Sequence, residues 1–276
     1  MVEKCRDEIA SKSGAMSANR AHTALAGFFK WAIKNGYVTG AKPTRDIDPL
    51  RERSRSRVLT EAELVVIWQA CEDDDFGKIV RLLMLTGCRR EEIGGLLWAE
   101  FFSAKGPHGQ IELPEHRVKN KRPHIVPLSK AALAILQSCV HEGYEGRRHV
   151  FGGSGFASWW YGKAELDKRI AARLGSPMPH WTLHDLRRSF VTHISELGYA
   201  PRHVVESLVN HISGSKAGVA GVYNRAQYLP ERQEAMEKWG RRLTERTRPF
   251  AVPAPQNKTA DESDDFGSQL VGGTRS

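Results

Sequence analysis

Six side chains that could act together on a phosphate occur at predicted turns and helix starts along the chain. They are two arginines, one lysine, two histidines and one tyrosine: Arg89, Lys119, His184, Arg187, His211 and Tyr223. A guanidinium makes forked hydrogen bonds to phosphate oxygens and stabilises the added negative charge of a five-coordinate phosphorus. A tyrosine whose pKa is lowered by cationic neighbours is an oxygen nucleophile, and a lysine or histidine can protonate a departing sugar oxygen. The set is therefore typical of phosphoryl transfer through a covalent ester.

Few carboxylates accompany these residues in the sequence. Two-metal nucleases need several acidic side chains that converge on one point, whereas Glu91, Glu92 and Asp185 are the only acids near the predicted site. The four cysteines lie far apart and form no CxxC pair, which favours neither a zinc site nor a disulfide framework. We therefore expect a reaction that uses no metal and no cofactor.

The stretch LLMLTGCRREEIGGLLW, from Leu82 to Trp98, should position the first arginine. Its apolar start predicts a helix that ends at Thr86-Gly87, and a second, amphipathic helix should then run to Trp98. Arg89 would lie just ahead of this second helix, beside backbone N–H groups that lack a partner within it. Such a place suits a phosphate, because the side chain and the helix start both attract an anion.

The stretch HWTLHDLRRSFVTHISELG should position two more of the six residues. It predicts a helix from Thr182 to Gly198, on which His184 and Arg187 are three residues apart and share one face. A short helix from 201 to 210 should follow and end just before His211. A loop rich in glycine and serine then leads to Tyr223.

The lysine falls in a region of alternating polar and apolar residues between Gly109 and Ser129. Three short segments, IEL, HRVK and HIVPL, are separated by turn-forming residues. This pattern predicts a small three-stranded antiparallel sheet. Lys119 would lie at the end of its middle strand, beside a turn.

Composition divides the chain into three parts. Residues 1–50 contain one helix with an apolar face from Leu25 to Ile33 and then a polar linker, and residues 51–246 carry all six candidate residues. The basic run RERSRSR at the junction is either a solvated linker or a strap that follows a phosphate backbone. Residues 247–276 are rich in Pro, Gly, Ser, Thr and acids and should be disordered.

Three helices of residues 51–246 have clear sequence signals. LTEAEL predicts a capping box at a helix start, and residues 76–85 predict a helix that is apolar almost all round and therefore central to the core. The last helix starts at Pro230. Its apolar face, with Met236 and Trp239, would need a partner and could dock on a neighbouring protomer.

The charge balance indicates a polyanionic partner. The net charge is +9, spread along the 276 residues, and the isoelectric point is about 9.5. Such basicity is typical of proteins that bind nucleic acid. No apolar run reaches membrane-spanning length, and the first residues contain no apolar signal-peptide segment. We expect a cytoplasmic protein with no membrane partner.

The order of these motifs resembles the tyrosine recombinase family, the phage integrases. The elements of the resemblance are TGxRxxE, a lysine on a hairpin, HxxR, a histidine and a tyrosine, and it covers residues 15 to 245. Within the family, RVKNKRPHIVPLS and GVYNRAQYLPERQEAMEKW are most similar to segments of prophage and genomic-island integrases.

The resemblance implies a role for each basic residue. Arg89 matches the first catalytic arginine, and Glu92 matches an acid that supports the site without reacting. Lys119 matches the hairpin lysine, the general acid for the 5′-oxygen, with Lys121 as the alternative in the same turn. Arg187 matches the second phosphate-binding arginine. Arg90 holds no motif position and should be solvated.

The resemblance also covers the histidines and the nucleophile. His184 is a candidate proton acceptor from the tyrosine, and His211 matches a hydrogen-bond donor to the phosphate. Tyr223, in GVYNR, matches the nucleophile. Its rival is Tyr228, which precedes Leu229-Pro230 and is interpreted as a packing residue. His193 and His203 hold no motif position and are interpreted as surface or helix-packing histidines.

The implied fold is mainly α with a small antiparallel β-sheet (α+β), the DNA breaking-rejoining enzyme fold. The implied activity is site-specific recombination of DNA through a 3′-phosphotyrosyl intermediate, which integrates or excises a prophage or genomic island. The implied partners are double-stranded DNA at attachment sites and three further copies of the chain in a homo-tetramer. Accessory DNA-bending factors could take part.

The N-terminal part departs from the family pattern. The helix with Leu25 and Ile33 resembles only the last part of a helical, SAM-like core-binding domain, so DNA affinity should be lower than that of a complete integrase. A truncated, inactive DNA-binding remnant is therefore an alternative. A type IB topoisomerase, which uses the same chemistry on one duplex, is a second alternative that TGCRREE and GVYNR disfavour.

Overall fold

The computed structural model describes residues 1–52, 56–103, 106–107, 109–140, 146–211 and 227–247. The chain divides into two units, Met1–Arg57 and Val58–Ser276. Tyr223 lies outside the described residues, as do residues 248–276 of the tail that was predicted to be disordered.

The first unit is built on one long helix, α1 (Val2–Lys34). It is longer than the apolar face of Leu25–Ile33 predicted, and it is kinked at Gly14, whose φ is 82°. Glycine permits this left-handed conformation because it has no Cβ. The segment that follows is fastened to the helix by side-chain hydrogen bonds, since Asn19 donates to the Leu50 carbonyl at 2.8 Å.

The second unit is mainly helical with two short antiparallel sheets, which confirms the predicted α+β class. Its elements in chain order are α2 (Glu61–Ala70), α3 (Asp75–Thr86), α4 (Arg90–Gly94), α5 (Trp98–Phe101), β1 (Phe102–Ser103), β2 (Gly106–Pro107), β3 (Gln110–Leu113), a 3₁₀ helix (Glu115–Arg117), β4 (His124–Pro127), α6 (Lys130–Ser138), α7 (Trp159–Leu174), α8 (Leu183–Glu196), α9 (Arg202–Leu208) and α10 (Leu229–Thr247). The predicted capping box is present, because Glu63 N–H donates to Thr60 Oγ1 and Thr60 N–H donates to the Glu63 carboxylate.

Helix α3 forms the centre of the core, as its apolar composition predicted. Its residues from Phe76 to Thr86 are buried apart from Lys78 and Arg81, and α8 and α6 pack against it. The Asp74 side chain accepts a hydrogen bond from Gly77 N–H at 2.7 Å at its start. Because α3 is buried in the core, its C-terminal end at Thr86 is held in place, and the chain continues from there to Arg89.

Helix α10 packs on its own unit, so the predicted need for a neighbouring protomer was wrong. Met236 and Trp239 are buried, and the Trp239 indole N–H donates to the Met84 carbonyl of α3 at 2.8 Å. Arg242 makes an ion pair with Glu61 of α2 at 2.7 Å. The apolar face that lacked a partner in the sequence is filled by α3, which is distant in the chain.

The predicted three-stranded sheet contains two strands at this place. Strands β3 and β4 pair directly, with Gln110 opposite Pro127 and Leu113 opposite His124. The HRVK segment between them forms the 3₁₀ helix and a turn. The prediction of a middle strand was wrong for two reasons. Pro114 has no N–H to donate to a neighbouring strand, and the Arg117 side chain is hydrogen-bonded to the Glu100 carboxylate. A second pair, β1 with β2, lies just before them.

The helix that follows Arg89 is also shorter than predicted. It ends at Gly94 and does not reach Trp98, which begins the separate helix α5. A Cβ at Gly94 would lie 2.4 Å from the Trp159 ring, so this position accepts only glycine. The glycine pair at 94–95 therefore ends the helix and lets α7 approach closely. Within the described part of the chain, no helix has the length and apolar character needed to cross a membrane.

Candidate active site

Arg89 is held by the turn between α3 and α4. Gly87 ends α3 in the left-handed region with φ 63°, and a Cβ there would lie 2.3 Å from the Phe190 ring. Arg89 then occupies the N-cap position of α4, as predicted. The buried Glu92 carboxylate accepts the Arg89 backbone N–H at 2.8 Å and its guanidinium Nη1 at 2.7 Å. Glu92 thus orients Arg89, and about a quarter of the arginine side chain, 24%, stays exposed.

Arg187 lies on α8 and is buried beside the same turn. Its Nη1 donates to the Gly87 carbonyl at 2.7 Å, and its Nη2 donates to the Val209 carbonyl just after α9. Burial and the nearby Arg89 guanidinium lower the pKa of Arg187, although an arginine remains charged at neutral pH. The guanidinium therefore joins three separate segments of the chain and brings a second positive charge close to the first.

His184 lies one helical turn before Arg187 and is exposed. Helix α8 begins at a capping box, in which Thr182 N–H donates to the Asp185 carboxylate at 2.8 Å. Partial desolvation, followed by the positive charges of Arg187 and Arg188, lowers the pKa of His184. The lowered pKa favours the neutral imidazole, which is the form that can accept a proton.

Lys119 is exposed and lies in the turn after the 3₁₀ helix. Arg117, two residues earlier, fastens this turn to the body of the unit. Its Nε donates to Glu100 Oε1 at 2.7 Å, and its Nη2 donates to the Gly95 carbonyl at 2.6 Å and to the Glu92 carbonyl at 3.3 Å. The turn that carries Lys119 is thus tied to the helix that Arg89 begins.

A pair of asparagines connects the Lys119 turn to the end of α9. Asn120 Nδ2 donates to the Asn210 carbonyl at 2.8 Å, and Asn210 Nδ2 donates to the Arg122 carbonyl at 3.2 Å. Asn210 has φ 47°, a left-handed conformation that asparagine adopts more readily than most residues. His211 follows directly and is exposed. The lysine turn and the histidine are therefore positioned by the same two hydrogen bonds.

Five of the six predicted residues line a single cavity of about 930 Å³: Arg89, Lys119, His184, Arg187 and His211. They come from four separate segments of the sequence. Lys121, the alternative to Lys119, has φ 53° and is not among the residues that line this cavity. Tyr223 lies outside the described residues, so its position relative to the cavity stays a prediction.

The side chains that were interpreted as packing residues do pack. The Tyr228 ring lies 4.8 Å from the His203 ring in an edge-on contact. His193 hydrogen-bonds to the Leu59 carbonyl at 2.8 Å and stacks on Trp239. Arg90 is exposed, as predicted, and is paired with Glu91.

Sequence reasoning missed the residues that hold the catalytic candidates in place. Arg117 and Glu100 are 17 residues apart, and Asn120 and Asn210 are 90 residues apart. Arg117 stood out in the sequence only by its position two residues before Lys119. Nothing in the sequence indicated its partner. Among the described residues, no group of three or more His, Cys, Asp or Glu side chains could hold a metal ion.

Comparisons with known proteins agree on one family. The family model described as "Phage integrase family" matches residues 57–228. The chain is 27% identical over 236 residues to prophage integrase IntZ of Escherichia coli K12, covering 80% of this chain and 54% of IntZ. It is 28% identical over 205 residues to tyrosine recombinase XerC of Xylella fastidiosa 9a5c, covering 70% and 66%. The chain thus spans about half to two thirds of the length of these relatives.

The solved structures that resemble the chain support the same fold. A lambda integrase tetramer bound to a Holliday junction superimposes with a TM-score of 0.59 at 18% identity. The superposition covers 79% of this chain and 65% of that one. At this level of identity the likeness establishes a shared fold.

Proposed function

Because this chain belongs to the phage integrase family of tyrosine recombinases, we propose that it is a site-specific DNA recombinase. The observation that carries the proposal is the cavity shared by Arg89, Lys119, His184, Arg187 and His211. These side chains converge on one cavity from four segments of the chain. A high net positive charge alone would not require this convergence. Each of them can contact a phosphate or move a proton.

The two arginines support phosphate binding. Arg187 is buried and Arg89 partly exposed, and Glu92 neutralises only one side of the Arg89 guanidinium. A phosphodiester that enters the cavity would therefore meet two cations whose positions are fixed before it binds. Donors that are already in place stabilise the developing charge of a transition state without reorganisation.

The proposed cleavage step uses Tyr223 as nucleophile. Its Oη bonds to the scissile phosphorus as the bond from phosphorus to the 5′-oxygen breaks. The phenol proton passes to the neutral His184, and the departing 5′-oxygen takes a proton from Lys119. The product is a 3′-phosphotyrosyl ester that keeps the bond energy of the broken linkage. Attack by the 5′-hydroxyl of another strand reverses each transfer and rejoins the DNA.

The proposed partners are double-stranded DNA attachment sites and further copies of this chain. The net charge of +9 supports binding to DNA. One structural relative is described as a tetramer bound to a Holliday junction, and we propose the same stoichiometry for strand exchange here. In this proposal residues 51–246 form the catalytic domain, residues 1–50 contribute to DNA binding, and the reaction integrates or excises a prophage or genomic island.

A suicide substrate tests the proposal. The substrate is a nicked duplex with a candidate attachment core, and the readout is a covalent protein–DNA adduct on a denaturing gel. Wild type and the matched control Tyr228→Phe should form the adduct, whereas Tyr223→Phe should not. An adduct that is lost in Tyr228→Phe alone would move the nucleophile to Tyr228. Absence of adduct from every variant, with DNA retained in a gel shift, would refute the cleavage step and favour a DNA-binding remnant.

A further inference from the structure

A second cavity, of about 900 Å³, opens beside the candidate active site. It shares Arg89, Lys119 and His184 with the first cavity. Its remaining wall comes from the start of α4, from α7 and from the segment that leads into α8, and three tryptophans line it: Trp159, Trp160 and Trp181. We call this cavity the tryptophan groove. It continues the proposed phosphate site into an aromatic surface.

The aromatic rings of the groove differ in exposure. Trp160 is 83% exposed, although it is a large apolar side chain. Trp181 is buried at 2% exposure, and its indole N–H donates to Asp167 at 3.1 Å. Trp159 packs edge-on against Phe156 with ring centroids 4.9 Å apart. Two rings are thus fixed by contacts with the protein, and the third presents a free surface to solvent.

Cations accompany the rings. The Lys163 ammonium lies 4.0 Å from the centre of the Trp181 ring, and the Arg90 guanidinium lies 5.5 Å from that of Trp159. Both acids that line the groove already have a basic partner, since Glu91 pairs with Arg90 and Asp167 with Lys163. Lys119, together with Arg89, whose guanidinium is neutralised by Glu92 on only one side, therefore leaves the groove with an excess of positive charge. A ligand with a flat π face and a negative group fits this combination.

We infer that the tryptophan groove binds one unpaired nucleotide next to the scissile phosphate, with its base stacked on Trp160. The inference rests on the proposed function. Strand exchange requires nucleotides beside the break to leave one duplex before they pair in another, and unstacking a base costs free energy. Stacking of the base on the aromatic surface beside Arg89 and Lys119 would offset the free-energy cost of unstacking it next to the scissile phosphate. Stacking on it is tolerant of sequence because every base has a π face.

The test compares two duplexes of the same sequence in the Tyr223→Phe background, which stops cleavage. One duplex is fully paired, and the other has a single unpaired 2-aminopurine next to the scissile phosphate. Affinity is measured by anisotropy and stacking by quenching of 2-aminopurine fluorescence. We expect the unpaired duplex to bind about 5-fold to 150-fold more tightly, the range that one aromatic–base stack supplies.

The variants at Trp160 make the test specific. Trp160→Ala should bring the affinity ratio close to one and abolish the quenching, whereas Trp160→Phe should keep most of both. Tyr161→Ala is the matched control, because Tyr161 is the next residue, is 64% exposed and does not line the groove. The ratio should also persist as salt rises, although both affinities fall, because stacking releases no counterions.

The outcomes separate the groove from the proposed function. If wild type forms the Tyr223 adduct but the two duplexes bind equally, or if Trp160→Ala keeps the ratio and the quenching, the nucleotide site is refuted and the recombinase stands. If Trp160→Ala keeps the ratio but loses self-association in sedimentation, the groove binds a second copy of the chain and the nucleotide site is again refuted. If no adduct forms, the proposed function itself fails.

Discussion

Replacing Arg117 by alanine should slow DNA cleavage although it removes none of the six proposed catalytic side chains. The guanidinium makes four hydrogen bonds, two to the Glu100 carboxylate and two to the carbonyls of Glu92 and Gly95. All of them hold the turn that carries Lys119. Without them the lysine keeps its chemistry but loses its fixed position relative to the 5′-oxygen.

The magnitude follows from the contacts. A general acid contributes about 10²- to 10⁴-fold to a rate, and a displacement of about 1 Å costs about 10²-fold. We expect Arg117→Ala to lower the single-turnover cleavage rate about 10- to 100-fold and Lys119→Ala to lower it at least as much.

Breaking a buried ion pair costs about 3–5 kcal/mol. Arg117 is 21% exposed, and Glu100 keeps a 2.9 Å hydrogen bond from Leu97 N–H. The free energy of unfolding should therefore fall by less, about 2–3 kcal/mol.

The assay uses two suicide substrates at saturating protein, so that DNA affinity does not enter. One has the ordinary 5′-oxygen at the scissile phosphate, and the other has a bridging sulfur, which departs without a proton. Arg117→Ala and Lys119→Ala should both be slow on the first substrate and close to wild type on the second. Arg122→Ala, an exposed arginine of the same turn, is the matched control and should cleave both substrates at the wild-type rate.

Two results would refute this reasoning. If Arg117→Ala slows both substrates equally, the arginine acts through the whole site or through folding and not through the lysine. If it slows neither, the hydrogen bonds to Glu100 and Gly95 do not position Lys119. Circular dichroism at the assay temperature establishes that each variant is folded.

Two further predictions concern stability. Gly87→Ala should lower the free energy of unfolding by about 2–5 kcal/mol, from left-handed strain and from the clash with Phe190; a double-mutant cycle with Phe190→Ala, measured in urea, should show a coupling of about 1–3 kcal/mol, and additive effects would disprove the clash. Burial, then the charge of Arg232, lowers the pKa of His124 to about 3, so the unfolded chain binds a proton below about pH 6.5 that the folded chain excludes. Because of this group, the free energy of unfolding should fall by about 1.4 kcal/mol per pH unit below about pH 6.5, or about 2 kcal/mol by pH 5. His124→Gln should remove that loss. A variant whose free energy of unfolding falls as steeply as that of wild type between pH 7 and 5 would contradict the prediction.

Local sequence rules predicted the parts of this site that depend on neighbouring residues. The helix end at Thr86-Gly87, Arg89 at a helix start and the face shared by His184 and Arg187 all involve residues within four positions of one another. Backbone geometry and capping act over that range, so these features can be predicted from the amino-acid sequence alone. The buried character of α3 also followed from its composition alone.

The sequence failed where a choice depended on distant partners. The alternation in HRVK suits a strand as well as a turn, and the contact between Arg117 and Glu100 decides for the turn. The apolar face of α10 suited a neighbouring protomer equally well, but it is buried within its own unit, where α10 packs against α3. Periodicity shows which face of an element is apolar but does not identify what covers it.

The sequence by itself determined the family, the fold class and the residue types that can act on a phosphate. Only the tertiary structure decided that five of these residues share one cavity, that Arg117 and the pair of Asn120 and Asn210 position them, and that a tryptophan groove continues from the site. The physical reason is that hydrogen bonds and stacking require atoms to lie within a few ångströms of each other. For residues 90 or 100 positions apart, such as Asn120 and Asn210 or Gly87 and Arg187, that proximity is a property of the packed chain.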